Sequence, residues 1–461
     1  MELHGAWVSV ALIFYSLLLL ALYQVNIDVE SWRKWQGFAT LVTYSIIIIA
    51  LDRVYVEGSV WKSTVAWWKR WLKRRRDNPW TTANAGKKII FNMLAKSMPE
   101  SIHHVSDKGY QLLCSYSFKA KTRIPTIYVP GAPPMFTKPT APVELKQDEG
   151  RYYIDQHVAK VPHSQFEPLF QALTVMKPSK RFDDVDVIIA RGSMTTLITF
   201  LKDVSCQPFA LTLHVIGNTL IVGRRLRSGQ AGSTNGSYGR NFEAGWTTQA
   251  EPNLQDAEGH HHAIQYEFGG LSIVTRAEID AYIPDSPLSK DEIKKMLAKS
   301  ASLAEPEVAT TTIHHDSSGS TRVLLAGRLI PHDKAMELKS NNQSKPLDQI
   351  WVGRTSGWSL GSNKDGVFSS TEKRFTPEDM KKSYEDDVKR QSGLRKLVWL
   401  LSELKKTVKE NTSDGSAVLL CFGKGEELIV RPMNKHEPAL PKAIVQYFWG
   451  SASQSRVENK V

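Results

Sequence analysis

The sequence contains few cysteines and lacks several signature motifs. Its 461 residues include three cysteines, Cys114, Cys206 and Cys421, and no two of them form a C-x-x-C pair. A disulfide framework and a cysteine-rich zinc site are therefore not expected. The glycine-rich stretch 229–237 has no G-x-x-x-x-G-K-[ST] motif, and the chain shows no internal repeat. These absences exclude the disulfide-rich and P-loop classes of protein.

The charge balance of the chain is basic. Lysine and arginine total 59 residues against 47 aspartates and glutamates, which gives a formal net charge of +12. A surplus of this size favours a polyanionic partner, either nucleic acid or an acidic membrane surface, but it does not indicate a fold. The hydrophobic fraction of 41% and the charged fraction of 23% are ordinary for globular proteins, so a wholly disordered chain is excluded.

Two long uncharged apolar runs lie near the N-terminus, at residues 6–25 and 35–51. A membrane-spanning helix needs roughly 20 apolar residues, with about 17 as the lower limit, so the runs predict two transmembrane helices. A single span and a cleaved signal peptide are the alternatives. The signal-peptide alternative lacks both a positively charged start and an A-x-A cleavage pattern.

A basic, tryptophan-rich segment follows at residues 61–76. By the positive-inside rule it predicts a multi-pass membrane protein whose remaining chain lies on the cytoplasmic or equivalent side. An arm that binds nucleic acid is the competing interpretation of the same charges. The predicted organisation is therefore a membrane anchor at 1–80 and a second domain at 81–461, with a polar insertion at about 283–320.

The second domain has the pattern of mixed α and β structure. A helix is predicted around 394–408, where apolar residues recur at three-to-four spacing. The Pro- and Gly-rich segment 122–137 and the His260-His261-His262 run are both predicted to be irregular, the latter as a polar loop rather than a zinc site. The basic run 223–227 is either an RNA contact or an exposed turn. Strands are predicted at 185–190, 209–216, 219–223, 270–276, 322–326, 336–339 and 417–422.

Two short motifs carry the residue types of a metal-dependent hydrolase. Glu278 and Asp280 end an apolar strand, where alternate residues point to the same face and can bind one cation. Glu337 and Lys339 have the same spacing on a later strand. Hard cations such as Mg²⁺ take oxygen ligands, and a nearby lysine can orient or deprotonate the attacking water. Each motif taken alone is equally compatible with a solvated strand edge.

The order of the motifs is more informative than any one of them. Arg191-Gly192 follows a strand, and the segment 238–243 contains Gly239-Arg240-Asn241-Phe242-Glu243. The E-x-D and E-x-K motifs come next, and then Gln349. In this order the chain resembles the DXO-type decapping nuclease family over about residues 120–450.

The resemblance implies an α+β fold, with a mixed-sheet nuclease core of the PD-(D/E)XK-like type and flanking helices. It implies hydrolysis at RNA 5′ ends, by decapping, pyrophosphohydrolase or 5′-3′ exoribonuclease activity, with Mg²⁺ or Mn²⁺ as cofactor. The family pattern also places the glutamine on a strand. The implied roles are metal binding by Glu243, Glu278, Asp280 and Glu337, positioning of water by Lys339, completion of the pocket floor by Gln349, and contact with the 5′ phosphates by Arg191.

The sequence departs from the family pattern at two positions. Arg240 stands where the family has an aromatic residue, and Asn241 stands where it has lysine. Arg240 is therefore expected to supply the missing positive charge for substrate binding. The alternative hypothesis is a catalytically inactive, membrane-associated RNA-binding or scaffold protein that keeps the nuclease fold.

Overall fold

The structure is a computed structural model, and it describes residues 79–140, 142–203, 206–233, 236–286, 307–308, 321–341 and 346–450. The two predicted membrane helices, the basic tryptophan-rich segment and most of the polar insertion lie outside these residues. Within the described part of the chain, no helix is both long enough and apolar enough to span a bilayer.

Strands and helices alternate irregularly along the described residues. The strands are β1 Phe91–Met93, β2 Gln111–Lys119, β3 Thr126–Gly131, β4 Met135–Phe136, β5 Val143–Glu144, β6 Arg151–Tyr153, β7 Val187–Ala190, β8 Phe209–Ile216, β9 Thr219–Arg225, β10 Gln230–Gly232, β11 Thr247–Thr248, β12 Ala257–Phe268, β13 Leu271–Ile279, β14 Ala281–Tyr282, β15 Glu307–Val308, β16 Arg322–Gly327, β17 Ala335–Lys339, β18 Gly357–Lys364, β19 Val367–Arg374, β20 Ser416–Cys421 and β21 Leu428–Pro432. The α-helices are α1 Pro79–Thr82, α2 Gln156–Lys160, α3 Glu167–Met176, α4 Arg191–Leu201, α5 Gly239–Gly245, α6 Leu347–Gly353, α7 Pro377–Met380, α8 Val388–Asn411 and α9 Lys442–Trp449.

The larger sheet has the strand order β1-β21-β20-β8-β9-β7-β13-β12-β2-β3-β16-β15. At its centre β7 pairs in parallel with both β9 and β13, and β13 pairs antiparallel with β12. Apolar side chains on both faces of these strands are buried, as expected of a central strand covered on both sides. On β13, Ile273 packs into the core under α8, whereas Val274 packs into the opposite core under α3 and α9.

A second sheet has the order β11-β4-β14-β17-β18-β19-β5. One residue, Asp280, separates β13 of the larger sheet from β14 of this one. β14 pairs antiparallel with β17, with Ala281 opposite Met336, and β17 pairs in parallel with β18. The E-x-D and E-x-K motifs are therefore brought together where the two sheets meet.

The predicted mixed α+β class is confirmed, and each predicted strand and the predicted long helix is present. Two local predictions are wrong. Segment 122–137 contains β3 and β4, because β16 and β2 supply hydrogen-bonding partners that the Pro- and Gly-rich composition does not reveal. The three histidines lie in β12 and not in a loop, and all three side chains are buried.

Candidate active site

Four carboxylates from different parts of the fold meet where the two sheets adjoin. Glu243 comes from α5, Glu278 from the end of β13, Asp280 from the junction before β14, and Glu337 from β17. Their negative charges act on one another, since Asp280 and Glu278 both raise the pKa of Glu243. We call these four carboxylates, together with Arg191 and Lys339, the acidic cluster.

Among the described residues, Glu337 is the carboxylate of the acidic cluster that forms close ion pairs with cationic side chains. Its Oε2 lies 2.6 Å from Arg191 Nη1, and its Oε1 lies 2.6 Å from Lys339 Nζ. Burial opposes ionisation of Glu337, but the charges of Arg191 and Lys339 outweigh burial and lower its pKa. Arg191 reaches this position because it begins α4 directly after β7, the parallel neighbour of β13.

The other three carboxylates are held in an environment that favours their protonated forms. Loss of surrounding water is the largest cause for each, and the neighbouring carboxylates add to it. The pKa of Glu278 is raised to about 7 and that of Asp280 to about 6, while that of Glu243 is raised well above its usual value. Glu243 and Glu278 still present solvent-accessible side chains, so a cation from solution can reach them.

The donor set of the acidic cluster fits a hard divalent cation in chemistry and in charge. Four carboxylates face two permanent cations, so two negative charges are uncompensated when all four are ionised. Oxygen ligands of this kind are those that Mg²⁺ and Mn²⁺ take in proteins. Within the residues that the structure describes, however, no three acidic, histidine or cysteine side chains are already arranged around a common metal position.

A cavity of about 150 Å³ adjoins the acidic cluster on the side of Glu278. Arg191 and Gln349 line it, as do Arg224 and Arg276. These two arginines approach the same carboxylate, since Asp155 lies 3.6 Å from Arg224 Nη1 and 4.0 Å from Arg276 Nη2. We call this space the arginine cavity.

Sequence reasoning missed most of the arginine cavity. Arg276 precedes Glu278 by two residues on β13, so strand alternation alone could have placed both on one face. Arg224 belongs to the basic run 223–227, in which Arg224 lines the cavity whereas Arg227 is exposed. No sequence signal singles out Asp155, because its role depends on contacts with two distant strands.

Gln349 and Arg240, which are predicted to help bind the substrate, lie in different surroundings. Gln349 lines the arginine cavity, but it lies in helix α6 and not on a strand as the family pattern implies. The Arg240 guanidinium instead donates to the backbone carbonyls of Glu149 and Arg151 and lies 5.6 Å from the Tyr152 ring centre. It also donates to Ser233 Oγ at 2.8 Å. Its predicted role in substrate binding stays a prediction.

Residues 88–449 match a protein family that is described as a domain of unknown function, DUF8563. The chain belongs to this family. The matched residues include both sheets and every residue of the acidic cluster. No curated protein matches this DUF8563 chain.

Several solved structures are similar to the DUF8563 chain, and they belong to the Rai1 and Dxo1 decapping nucleases. S. pombe Rai1 in complex with 3′-FADP is 14% identical, with a TM-score of 0.46, over 74% of this chain and 99% of that one. Scheffersomyces stipitis Rai1 in complex with (3′-NADP)⁺ and calcium is 11% identical, with a TM-score of 0.49, over 78% and 100%. K. lactis Dxo1 in complex with manganese is 12% identical, with a TM-score of 0.43, over 76% and 99%. Similarity at this level assigns no role to any residue of this chain.

Proposed function

We propose that the chain is a divalent-cation-dependent hydrolase that acts on RNA 5′ ends. The observation that carries the proposal is the acidic cluster, in which four carboxylates from separate elements converge beside Arg191 and Lys339. The basic charge of the chain supports a polyanionic substrate. The ordered series of motifs from Arg191 to Gln349 supports RNA 5′ ends in particular.

The carboxylates of Glu243, Glu278, Asp280 and Glu337 are proposed to hold Mg²⁺ or Mn²⁺. When bound, such a cation activates water and polarises the phosphoryl group that is attacked. The chain itself supplies excess negative charge to attract the cation. It also keeps one ligand, Glu337, ionised through its two ion pairs.

Lys339 is proposed to orient water by donating a hydrogen bond. Burial favours its neutral amine, but the charges of Glu337 and Asp280 outweigh burial and raise its pKa. A lysine in this state remains protonated near neutral pH, so it donates and does not remove a proton. Of the two roles open to this lysine, orientation of water is therefore favoured over deprotonation. Arg191 and Gln349 are proposed to contact the 5′-terminal group, since both line the adjoining cavity.

A metal-dependence assay on RNA tests the proposal. The full-length chain is incubated with Mn²⁺ and either 5′-triphosphate or NAD-capped RNA, and release of the 5′ group and of nucleotides is followed. The variant Glu278→Gln/Asp280→Asn should lose about a thousandfold or more of the turnover, because cation binding contributes several kcal/mol to stabilising the transition state. Glu378→Gln, which changes an exposed carboxylate of α7, is the matched control and should keep full turnover. Equal turnover by wild type and the double variant would reject the assignment.

A second candidate function is favoured by the ion pairs of Glu337. Arg191 and Lys339 already occupy both of its carboxylate oxygens, which is compatible with a cluster that no longer binds metal. The chain would then be an inactive RNA-binding or scaffold protein. This candidate predicts RNA binding without metal-dependent turnover, and RNA binding that is unchanged by Lys339→Ala.

Attachment to a membrane through residues 6–25 and 35–51 is part of the proposal. It is supported by the length and lack of charge of both runs and by the basic segment that follows. Alkaline carbonate extraction of membranes from cells that express the full-length chain tests it. Release of the chain into the soluble fraction would contradict the proposed spanning helices.

A further inference from the structure

We propose that Cys206 and Cys421 form an oxidation-sensitive pair, which a hydroperoxide converts into one intramolecular disulfide within the folded chain. We call these two residues the thiol pair. The inference goes beyond the proposed function, because neither residue belongs to the acidic cluster and the reaction needs neither metal nor RNA. The two cysteines are far apart in the sequence, so their order along the chain does not reveal the pair.

The larger sheet brings the two cysteines together. Cys421 ends β20, where it pairs with Phe209 on β8, and Cys206 lies just before β8. The two backbone segments are close, since a Cβ atom on Gly423 would lie 3.7 Å from Cys206 O. The thiols themselves are near enough to share a hydrogen bond. A disulfide requires neighbouring backbone segments, and these segments meet that requirement.

Both thiols are reduced in this structure, and each has a carbonyl acceptor. Cys206 Sγ donates to Gln207 O at 3.4 Å, and Cys421 Sγ donates to Gly423 O at 3.5 Å. Burial raises the pKa of both thiols, that of Cys421 to about 12. The hydrogen bond between them lowers the pKa of Cys206 and raises that of Cys421, so Cys206 ionises more readily. Because its pKa still exceeds the ordinary value, Cys206 should react more slowly than an exposed thiol.

An oxidant can reach one member of the thiol pair from a cavity. Cys206 is half-buried and lines a cavity of about 370 Å³, whereas Cys421 is 0% exposed. Each water-sized group needs about 30 Å³, so the cavity has room for a small hydroperoxide. The accessible Cys206 is therefore the thiol that is oxidised first, and the buried Cys421 is the thiol that resolves the product.

The reaction has two steps that together consume one hydroperoxide. The Cys206 thiolate attacks one oxygen of hydrogen peroxide, the O–O bond breaks, and hydroxide leaves and takes up the thiol proton as water. The sulfur of Cys421 then attacks the sulfur of the resulting sulfenic acid. An S–S bond forms, the S–O bond breaks, and the oxygen leaves as a second water with the proton of Cys421. Two thiols are oxidised by two electrons, and the peroxide is reduced to two waters.

The third cysteine supplies a control within the same chain. Cys421 is in the core under α8, and Cys206 packs against that core. Cys114 instead lies in the opposite core, is 0% exposed, and has its Sγ 3.5 Å from Leu169 O. Its surroundings offer neither access to an oxidant nor a second thiol. Oxidation should therefore distinguish Cys114 from the thiol pair.

Peptide mapping of the oxidised chain tests the inference. The full-length chain is treated with hydrogen peroxide in EDTA, alkylated with N-ethylmaleimide under denaturing conditions, and digested without reduction for mass spectrometry. A linked peptide pair that contains Cys206 and Cys421 is expected, and dithiothreitol should separate it. Alkylation of Cys206 and Cys421 should fall together and by equal amounts, whereas alkylation of Cys114 should not change.

Substitutions of single cysteines separate the two steps. Cys421→Ser should stop Cys206 at the sulfenic acid, which dimedone traps, and Cys206→Ser should leave Cys421 open to alkylation after peroxide treatment. Cys114→Ala is the matched control and should form the disulfide as wild type does.

The inference is overturned if the wild-type digest contains no linked pair, if non-reducing electrophoresis shows the link only between two chains, or if Cys206 is oxidised while Cys421 stays fully open to alkylation. Wild type alone decides these outcomes, so they do not depend on the folding of a variant. None of them bears on the proposed function, which the metal-dependence assay tests separately.

Discussion

The acidic cluster and the arginine cavity adjoin at Glu278, yet their charges are balanced to different degrees. In the acidic cluster, four carboxylates face Arg191 and Lys339, and negative charge is in excess. In the arginine cavity, Arg224 and Arg276 face the carboxylates of Asp155 and Glu278, so the charges are close to balanced. The acidic cluster therefore differs from an ordinary structural ion pair, in which the charges cancel. Its excess negative charge favours the binding of a cation.

The largest expected effect comes from removing a cation from the acidic cluster. Arg191→Gln should lower the free energy of unfolding by about 3 kcal/mol or more, because it leaves buried Glu337 with less compensation. Glu337→Gln should cost less than half as much, since Arg191 and Lys339 retain attraction to Asp280. Chemical denaturation of the full-length variants at one pH measures both. Equal losses would contradict the excess of negative charge.

In the arginine cavity, removal of the carboxylate should destabilise the chain more than removal of an arginine. Asp155→Asn should lower the free energy of unfolding by about 2 kcal/mol, because Arg224 and Arg276 then lose the carboxylate that both of them approach. Asparagine preserves the cap that Asp155 forms on α2, so this change isolates the charge. Arg224→Gln should cost under about 1 kcal/mol, since its side chain is 27% exposed. If Arg224→Gln destabilised the chain more than Asp155→Asn, the sharing of Asp155 by two arginines would be contradicted.

The smallest expected effect concerns pH and metal together. Glu278 and Asp280 have raised pKa values in the folded chain, about 7 and about 6, so the folded chain binds more protons than the unfolded chain. Without metal, stability from these groups should therefore fall as pH rises from about 4 to about 7. Metal binds the ionised carboxylates, so Mn²⁺ at about ten times its dissociation constant should add roughly 1.4 kcal/mol at about pH 8 and less at about pH 5.5.

Thermal unfolding with and without Mn²⁺ at the two pH values measures this effect. The variant Glu278→Gln/Asp280→Asn is the control and should show almost no metal-dependent stabilisation at either pH. Stabilisation by Mn²⁺ that was larger at the lower pH would contradict ligation by these two carboxylates. It would also remove the contrast between the acidic cluster and the arginine cavity.

Much of the secondary structure could be predicted from local pattern. The strands that contribute Glu278 and Glu337 and the apolar face of α8 follow directly from alternation and from three-to-four spacing. The segment that became β3 and the buried histidines of β12 could not be predicted in this way. Their conformation depends on pairing with strands that are distant in sequence, and long-range pairing overrides local composition.

The residues of the candidate site also fall into two groups, those that the sequence predicts and those that it does not. The residues of the acidic cluster and Gln349 could be proposed from ordered motifs, although the helical position of Gln349 differs from the family pattern. Asp155 could not, because nothing around it in the chain shows that Arg224 and Arg276 will approach its carboxylate. The sequence likewise shows a basic run at 223–227 without showing that Arg224 turns inward and Arg227 outward.

The sequence by itself determined the basic charge, the mixed α+β class and the identity of the residues in the acidic cluster. The tertiary structure decided how those charges are grouped. Asp280 lies where the chain passes from one sheet to the other, and this crossing brings β13 and β17 together. The physical reason is that electrostatic interaction depends on distance and on surrounding water, and neither is encoded in the local order of residues.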